Sequence, residues 1–243
     1  MGRLWKKLAA FLLAGVLTGC SAPAKEMQQP VERSLFAMNT YMTFTVYGED
    51  AQAALQEAEE CIQQVEGLWS VTDENSEIYQ ANHSGGQPVT VSEETAEIIS
   101  FALEMAQRTG GALDPTIYPV LTAWGFTTDS KQVPSQQQIA QLLEQVGYDR
   151  IQINGSELTV PDGMELDLGA VGKGYTADLV TEILRRHGVT SALISLGGNI
   201  QAIGSRPDGS DWHLGIRAPW ESGNLGVLTV SDAAVVVILN EQN

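Results

Sequence analysis

The hydrophobic period of this chain switches from two to 3.6 within a few residues, and that switch confines it to folds that lay helices against sheet. From Leu35 to Tyr47 the residues alternate, with Met42, Phe44 and Val46 on one side and Thr43, Thr45 and Tyr47 on the other, the pattern of a half-buried strand. From Asp50 onward Leu55, Ala58, Ile62, Val65 and Leu68 recur at helical spacing. A second helix is expected from Ser92 to Thr109, with Glu93 and Glu94 in its first turn and Gly110-Gly111 as its stop. A third is expected from Ser135 to Val146, with Ser135 and Gln138 as a capping pair and Gly147 closing it. "IQINGSELTV" reads as a hairpin about Asn154-Gly155, and "MELDLG" as a further strand. A helix from Gly174 to His187 follows, with Leu179, Val180, Ile183 and Leu184 as its apolar side. "SALISLGGN" is a buried strand ending in glycines, and the pattern after Trp212 is β as far as "AVVVIL". With no internal repeat from Val31 to Asn243, this is an α+β chain: a mixed sheet with flanking helices in one main domain.

The start of the chain is of a different kind. Arg3, Lys6 and Lys7 precede an apolar run from Leu8 to Leu17, too short to span a bilayer and suited to the h-region of a signal peptide. "LTGC", Leu17 to Cys20, followed by the polar "SAPAKEMQQP", looks like a bacterial lipobox and its tether. The expected organisation is a lipoprotein signal peptide over residues 1–19, a lipid-bearing Cys20 heading a flexible tether over 20–30, and a folded domain over 31–243. Residues 1–19 hold three positive charges and no acid, so removing them takes the formal net charge from −17 to −20. A chain this acidic is not a nucleic-acid binder and has no polybasic patch for anionic lipid, which leaves membrane attachment to the lipid, unaided or with help from a partner. Beyond Cys20 only Cys61 remains, which excludes an intrachain disulfide framework; its position among Ala58, Ile62 and Val65 places it in the core. The histidines His83, His187 and His213 share no metal-ligand spacing.

"DLGAVGKGYTADL", Asp167 to Leu179, sets an acid, three glycines and Lys173 before a helical pattern. Two readings stand side by side. The glycines can simply pass from strand to helix, or their backbone N–H groups, a helix N-terminus and the Lys173 charge can cradle a phosphate. The run is neither a Walker A loop nor a G-x-G-x-x-G fingerprint. Asp114-Pro115 has a similar pair of readings, a ligand contact or a turn in which Asp caps the backbone. Met38 taken alone reads as core.

Four segments stand in order: "AMNTYM", "GGALDPTIYPVLTAWGF", "DLGAVGKGYTADL" and "SLGGNIQAIG". Together they resemble the ApbE-type FAD:protein FMN transferases, a family with many bacterial lipoproteins. The likeness runs from Leu35 to about Val236. It implies a T-fold-like domain that binds FAD and Mg²⁺ and attaches FMN through a phosphoester to a Thr or Ser of an exported or membrane flavoprotein, releasing AMP. It further implies FAD contacts at Met38, Ala112, Leu113, Asp114, Asp167 and Lys173, and a Mg²⁺ ligand in the backbone carbonyl of Ala170, a role no side-chain reading would find. Anchored through Cys20, the domain would face outward from the cell membrane.

Three departures from the family pattern qualify these expectations. Asn39 replaces the glycine of the Met-Gly-Thr entry motif. The ring-stacking aromatic after the first helix aligns with Thr72, with Trp69 and Tyr79 as the nearest substitutes. After "SDAAVV" the family continues to groups that complete the Mg²⁺ site, whereas this sequence reads "VILNEQN"; a truncated or frameshifted chain with weak Mg²⁺ binding is the expectation. A non-catalytic FAD-binding lipoprotein is the alternative function. A solute-binding lipoprotein is disfavoured because no two similar lobes are present.

Overall fold

The computed structural model describes residues 29–126, 130–220 and 222–237. Cys20 and the residues assigned to the leader and most of the tether lie outside them. Strands β1 (Val31–Ala37) and β2 (Thr40–Tyr47) form an antiparallel hairpin that leads into helix α1 (Ala51–Trp69). Short helix α2 (Glu77–Asn82), strand β3 (Val89–Thr90) and helix α3 (Glu93–Arg108) follow. Next come α4 (Tyr118–Ala123), α5 (Gln136–Leu143) and the hairpin β4 (Gln152–Asn154) with β5 (Glu157–Thr159). Helix α6 (Gly169–Arg186) precedes strands β6 (Ser191–Leu196), β7 (Asn199–Ile203), β8 (Trp212–Arg217), β9 (Asn224–Val230) and β10 (Ala234–Val236). The main sheet has the order β1-β2-β6-β7-β10; β3-β5-β4 and β8-β9 form two smaller ones.

The class is α+β as expected, but every described strand pairing is antiparallel where a mixed sheet was expected. The reason lies in the connections: β1-β2 and β6-β7 are tight hairpins, and the long excursion from β2 to β6 through α1 to α6 returns the chain in the opposite direction.

Period decides which faces are buried. Met42, Phe44 and Val46 of β2 and Ala192, Ile194 and Leu196 of β6 point to one side of the sheet, where they meet Ala54, Leu55, Ala58 and Ile62 of α1 and Ala177, Val180 and Leu184 of α6. Each large side chain so enclosed contributes about 1.5–3 kcal/mol of burial free energy. A second cluster gathers Val65 and Trp69 from the end of α1, Ile98, Ile99 and Ala102 of α3, Leu158 of β5, and Met164, Leu166, Leu168 and Val171. Met38 and Cys61 touch both clusters. Helix α6 also serves both, giving Val171 to the second and Ala177, Val180, Ile183 and Leu184 to the first, so its first turns lie at the seam.

The expected helices α1, α3 and α5 are present, with the Ser92 and Ser135 side chains accepting the Thr95 and Gln138 backbone N–H groups at 3.3 and 3.2 Å. Four local expectations change. Leu35 to Tyr47 is not one strand, since Met38 and Asn39 reverse the chain. The β4-β5 turn is Gly155-Ser156, one residue later than expected, with Asn154 paired to Glu157. "MELDLG" joins no sheet: Met164 to Leu168 form no regular element and Gly169 opens α6; the Asn82 side chain clamps Leu166 on both sides, donating to its carbonyl at 2.9 Å and accepting its N–H at 2.7 Å. Helix α6 begins at Gly169, five residues before the expected start, so the glycine run is helical. Among the described residues, no helix is long and apolar enough to cross a membrane.

Candidate functional site

The four motif segments meet around the first turns of α6. Asp167 enters from the second cluster, its backbone N–H donating to the Pro115 carbonyl at 2.8 Å, which ties the "ALDPT" loop to the helix start. Its carboxylate Oδ1 accepts the Gly169 N–H at 2.9 Å. A Cβ at Gly169 would sit 2.8 Å from that same oxygen, so glycine is what lets the helix begin this close to the acid. Burial pushes the Asp167 carboxyl above the usual carboxylate range, while the Gly169 N–H and the Lys173 ammonium pull it back. Lys173 is half-buried one turn into the helix, and Ala170 is exposed on its first turn.

The Met38–Asn39 turn is packed against this start. Both residues are left-handed, with φ of 50° and 55°, between the paired Ala37 and Thr40, as a two-residue type I′ hairpin requires. The Met38 N–H donates to Glu66 Oε1 of α1 at 2.6 Å. Its sulfur lies 3.7 Å from the Thr176 hydroxyl of α6, which also donates to the Gly172 carbonyl at 2.8 Å. The "SLGG" turn closes over the same place: Gly197 has φ of 62°, its N–H donates to the Tyr41 carbonyl at 3.1 Å, and an added Cβ would fall 2.2 Å from Thr40 Oγ1. A Cβ at Gly174 would be 3.8 Å from the Asn199 amide, placing β7 beside the glycine run.

The Asp114 carboxylate is engaged by its own loop and by the segment at Tyr148. Oδ1 accepts the Thr116 N–H at 2.8 Å and the Thr116 hydroxyl at 2.6 Å, while Oδ2 accepts the Tyr148 N–H at 3.1 Å. Thr116 Oγ1 in turn accepts the Gly147 N–H at 2.8 Å. These bonds are the turn reading of Asp114-Pro115. Leu113 is half-buried against the second cluster with its N–H on Thr109 Oγ1 at 3.1 Å, and Ala112 is exposed.

The aromatic substitutes for Thr72 divide. Trp69 is enclosed in the core, its indole N–H donating to Thr95 Oγ1 at 3.2 Å and its ring edge-on to Tyr175, so it offers no open face. Tyr79 stacks on His83 with centroids 3.9 Å apart. His83 and His187 follow the last residues of α2 and α6, and His213 is exposed on β8. Glu66, Asn82 and Thr176 hold the site together yet carry no local signal, since each acts on a partner at least 28 residues away.

A separate groove of about 880 Å³ runs between α3 and the β4-β5 hairpin, lined by Glu93, Glu97, Glu104, Phe101 and Tyr175. Its carboxylates repel a diphosphate. Burial and the Glu97 carboxylate, which accepts the Tyr175 hydroxyl at 3.1 Å, push the Tyr175 phenol up to about 12. Among the described residues, no three His, Cys, Asp or Glu side chains lie together as metal ligands. A single Ala170 carbonyl does not meet the demand of Mg²⁺ for an octahedral oxygen set with carboxylate among its ligands.

The ApbE family model matches residues 38–237. The chain belongs to the ApbE family. An FAD:protein FMN transferase of Treponema pallidum is 30% identical over 84% of this chain and 63% of its own length. One from Klebsiella pneumoniae is 30% identical over 89% of this chain and 66% of its own. The chain thus spans about two thirds of the length of these curated relatives. The crystal structure of the ApbE protein of Thermotoga maritima superposes with a TM-score of 0.79 at 27% identity, covering 85% of this chain and 69% of that one. The apo flavinyl transferase ApbE of Pseudomonas stutzeri, at 24% identity, shares the fold with a TM-score of 0.79.

Proposed function

We propose that this chain is an FAD:protein FMN transferase whose flavin dinucleotide lies against the first turns of α6. The observation that carries this reading is the convergence of all four motif segments on that helix start, with Lys173 beside Asp167. Met38, Ala112, Leu113, Asp114, Asp167 and Lys173 are its FAD-contact set. A diphosphate needs positive charge and room for close approach; Lys173 and the N-terminal dipole of α6 supply the first, and the exposed Gly169 and Ala170 the second. Asp114 contributes by fixing the loop that reaches Asp167. In the transfer, a Thr or Ser hydroxyl oxygen of the acceptor protein bonds to the FMN-side phosphorus. The phosphoanhydride P–O bond breaks, AMP leaves, and the hydroxyl proton passes to solvent or base.

The resemblance implies Mg²⁺ dependence with Ala170 as a ligand; the described donor set does not fit the ion, and no step is routed through it. A second reading is an FAD-binding protein without catalysis. Incubating the full chain with FAD, Mg²⁺ and a Thr-containing acceptor separates the two: AMP release with covalent flavin fluorescence on the acceptor supports transfer, and retained FAD without AMP supports the second. Absence of FAD binding defeats both. Anchoring through a lipid on Cys20 at the outer face of the cell membrane completes the proposal. A Cys20→Ala chain that still incorporates labelled lipid overturns that part.

A further inference from the structure

The Met38–Asn39 turn is sterically expensive and sits where the site is assembled. A type I′ turn places both central residues in the left-handed region, which glycine adopts freely, Asn and Asp tolerate, and a long side chain such as Met resists. Here Met holds the first position and Asn the second. The first central N–H of a two-residue hairpin also falls outside the strand ladder, so the turn neither satisfies its own donor nor favours its own backbone shape. In this structure both deficits meet one group. The Glu66 carboxylate of α1 accepts that N–H at 2.6 Å, a charge-assisted bond to a residue 28 positions earlier. Beyond the turn, the Met38 sulfur rests 3.7 Å from the Thr176 hydroxyl, three residues after Lys173 on α6.

We propose that Glu66 is a positioning residue: its carboxylate braces the Met38–Asn39 turn in the left-handed form and thereby sets Met38 against the start of α6. The relevance to FAD rests on the proposed function, whereas the brace itself is a property of the ligand-free chain. Glu66 acts through the turn and needs no contact with the nucleotide. Its loss is therefore repairable by any change that makes the turn favourable on its own, and Asn39→Gly is such a change because glycine reaches positive φ without strain.

The test uses the full chain as wild type, Glu66→Gln, Glu66→Ala and Glu66→Ala/Asn39→Gly. Amide hydrogen exchange at Met38 is followed without ligand, and FAD affinity by calorimetry. Glu66→Ala should open the Met38 amide to exchange and raise the FAD Kd by about tenfold or more, the loss expected for a hydrogen bond to a charged group. Glu66→Gln keeps an acceptor and should raise it by less than about fivefold. The double variant should recover most of the affinity although its Met38 amide stays open, a result that a direct ligand contact or a general folding role for Glu66 does not give. Unchanged Kd in Glu66→Ala, or no recovery in the double variant, overturns the proposal. If wild type binds no FAD, the functional reading fails and exchange at Met38 alone decides the brace. If Glu66→Ala does not fold, faster exchange at Met38 in Glu66→Gln supports the brace and unchanged exchange refutes it.

Discussion

The two ends of α6 are built from opposite materials. Its first turns, Gly169 to Gly174, hold three glycines and one cation, and they meet their neighbours through backbone and close approach: Asp167 on the Gly169 N–H, Asn199 beside Gly174. Its last turn is tied down by charge. Arg186 bonds Glu57 at 2.8 Å, Arg185 bonds Asp232 at 3.1 Å, and the His187 ring lies between Asp50 and Glu57, 2.7 Å from the latter. Cations at a helix C-terminus also suit its dipole. The far end fixes the helix to α1 and to the β9-β10 corner, and the near end can then present small residues and one cation without having to hold the helix in place.

If that division is right, the largest effect on stability belongs to the anchored half. Leu184 is fully buried between sheet and α1, and Leu184→Ala should destabilise the fold by about 2–5 kcal/mol, read by chemical denaturation, while the folded fraction binds FAD as before. A matching loss of affinity would erase the distinction between the two halves. The next effect belongs to the open end: Lys173→Ala should weaken FAD binding by about 1–3 kcal/mol in calorimetry with little change in melting temperature. Normal binding would move the diphosphate elsewhere.

The smallest effect is a pH dependence at the far end. Asp50 first and Glu57 second raise the His187 pKa, while His187 and Arg186 lower that of Glu57. A raised histidine stabilises fully below its unfolded value and loses that contribution as pH rises through the folded one; a lowered glutamate loses its contribution as pH falls through its depressed value. The clasp is therefore strongest above the ordinary Glu value of about 4.3 and below the ordinary His value of about 6.5. His187→Gln should flatten the decline in melting temperature that begins near the unperturbed histidine value of about 6.5 and runs up through the raised one. An unchanged decline would show that the ring does not carry it.

The anchored half was far easier to read in the sequence than the open one. Period alone found Met42, Phe44 and Val46, and Leu55, Ala58, Ile62 and Val65, all of them buried, because each repeats within its own element. The β1-β2 turn was hidden in an unbroken strand pattern, yet its trace is visible: inward positions are odd through Val31, Leu35 and Ala37 and even from Met42 to Val46, a change of parity that a two-residue reversal produces. The early start of α6 was missed because glycine disfavours helix locally, and here packing of Val171 and Leu168 against the second cluster overrides propensity. The motifs marked Asp167, Lys173 and Met38 as a set, but the Asn82–Leu166 clamp joins residues 84 positions apart and no period or motif announces it. Asp114 carried two readings in the sequence; its bonds to Thr116 and Tyr148 add the turn role without addressing the ligand.

Cys61, half-buried on α1 and touching both hydrophobic clusters, has a thiol whose pKa is raised by burial and then by Glu57 and Glu94. A thiol of that kind is a poor nucleophile while the seam is shut, because only the thiolate reacts. Its alkylation rate is therefore a clock for the breathing of the seam. Since the first turns of α6 lie along the same line, a molecule lodged there should slow that clock without ever touching the sulfur.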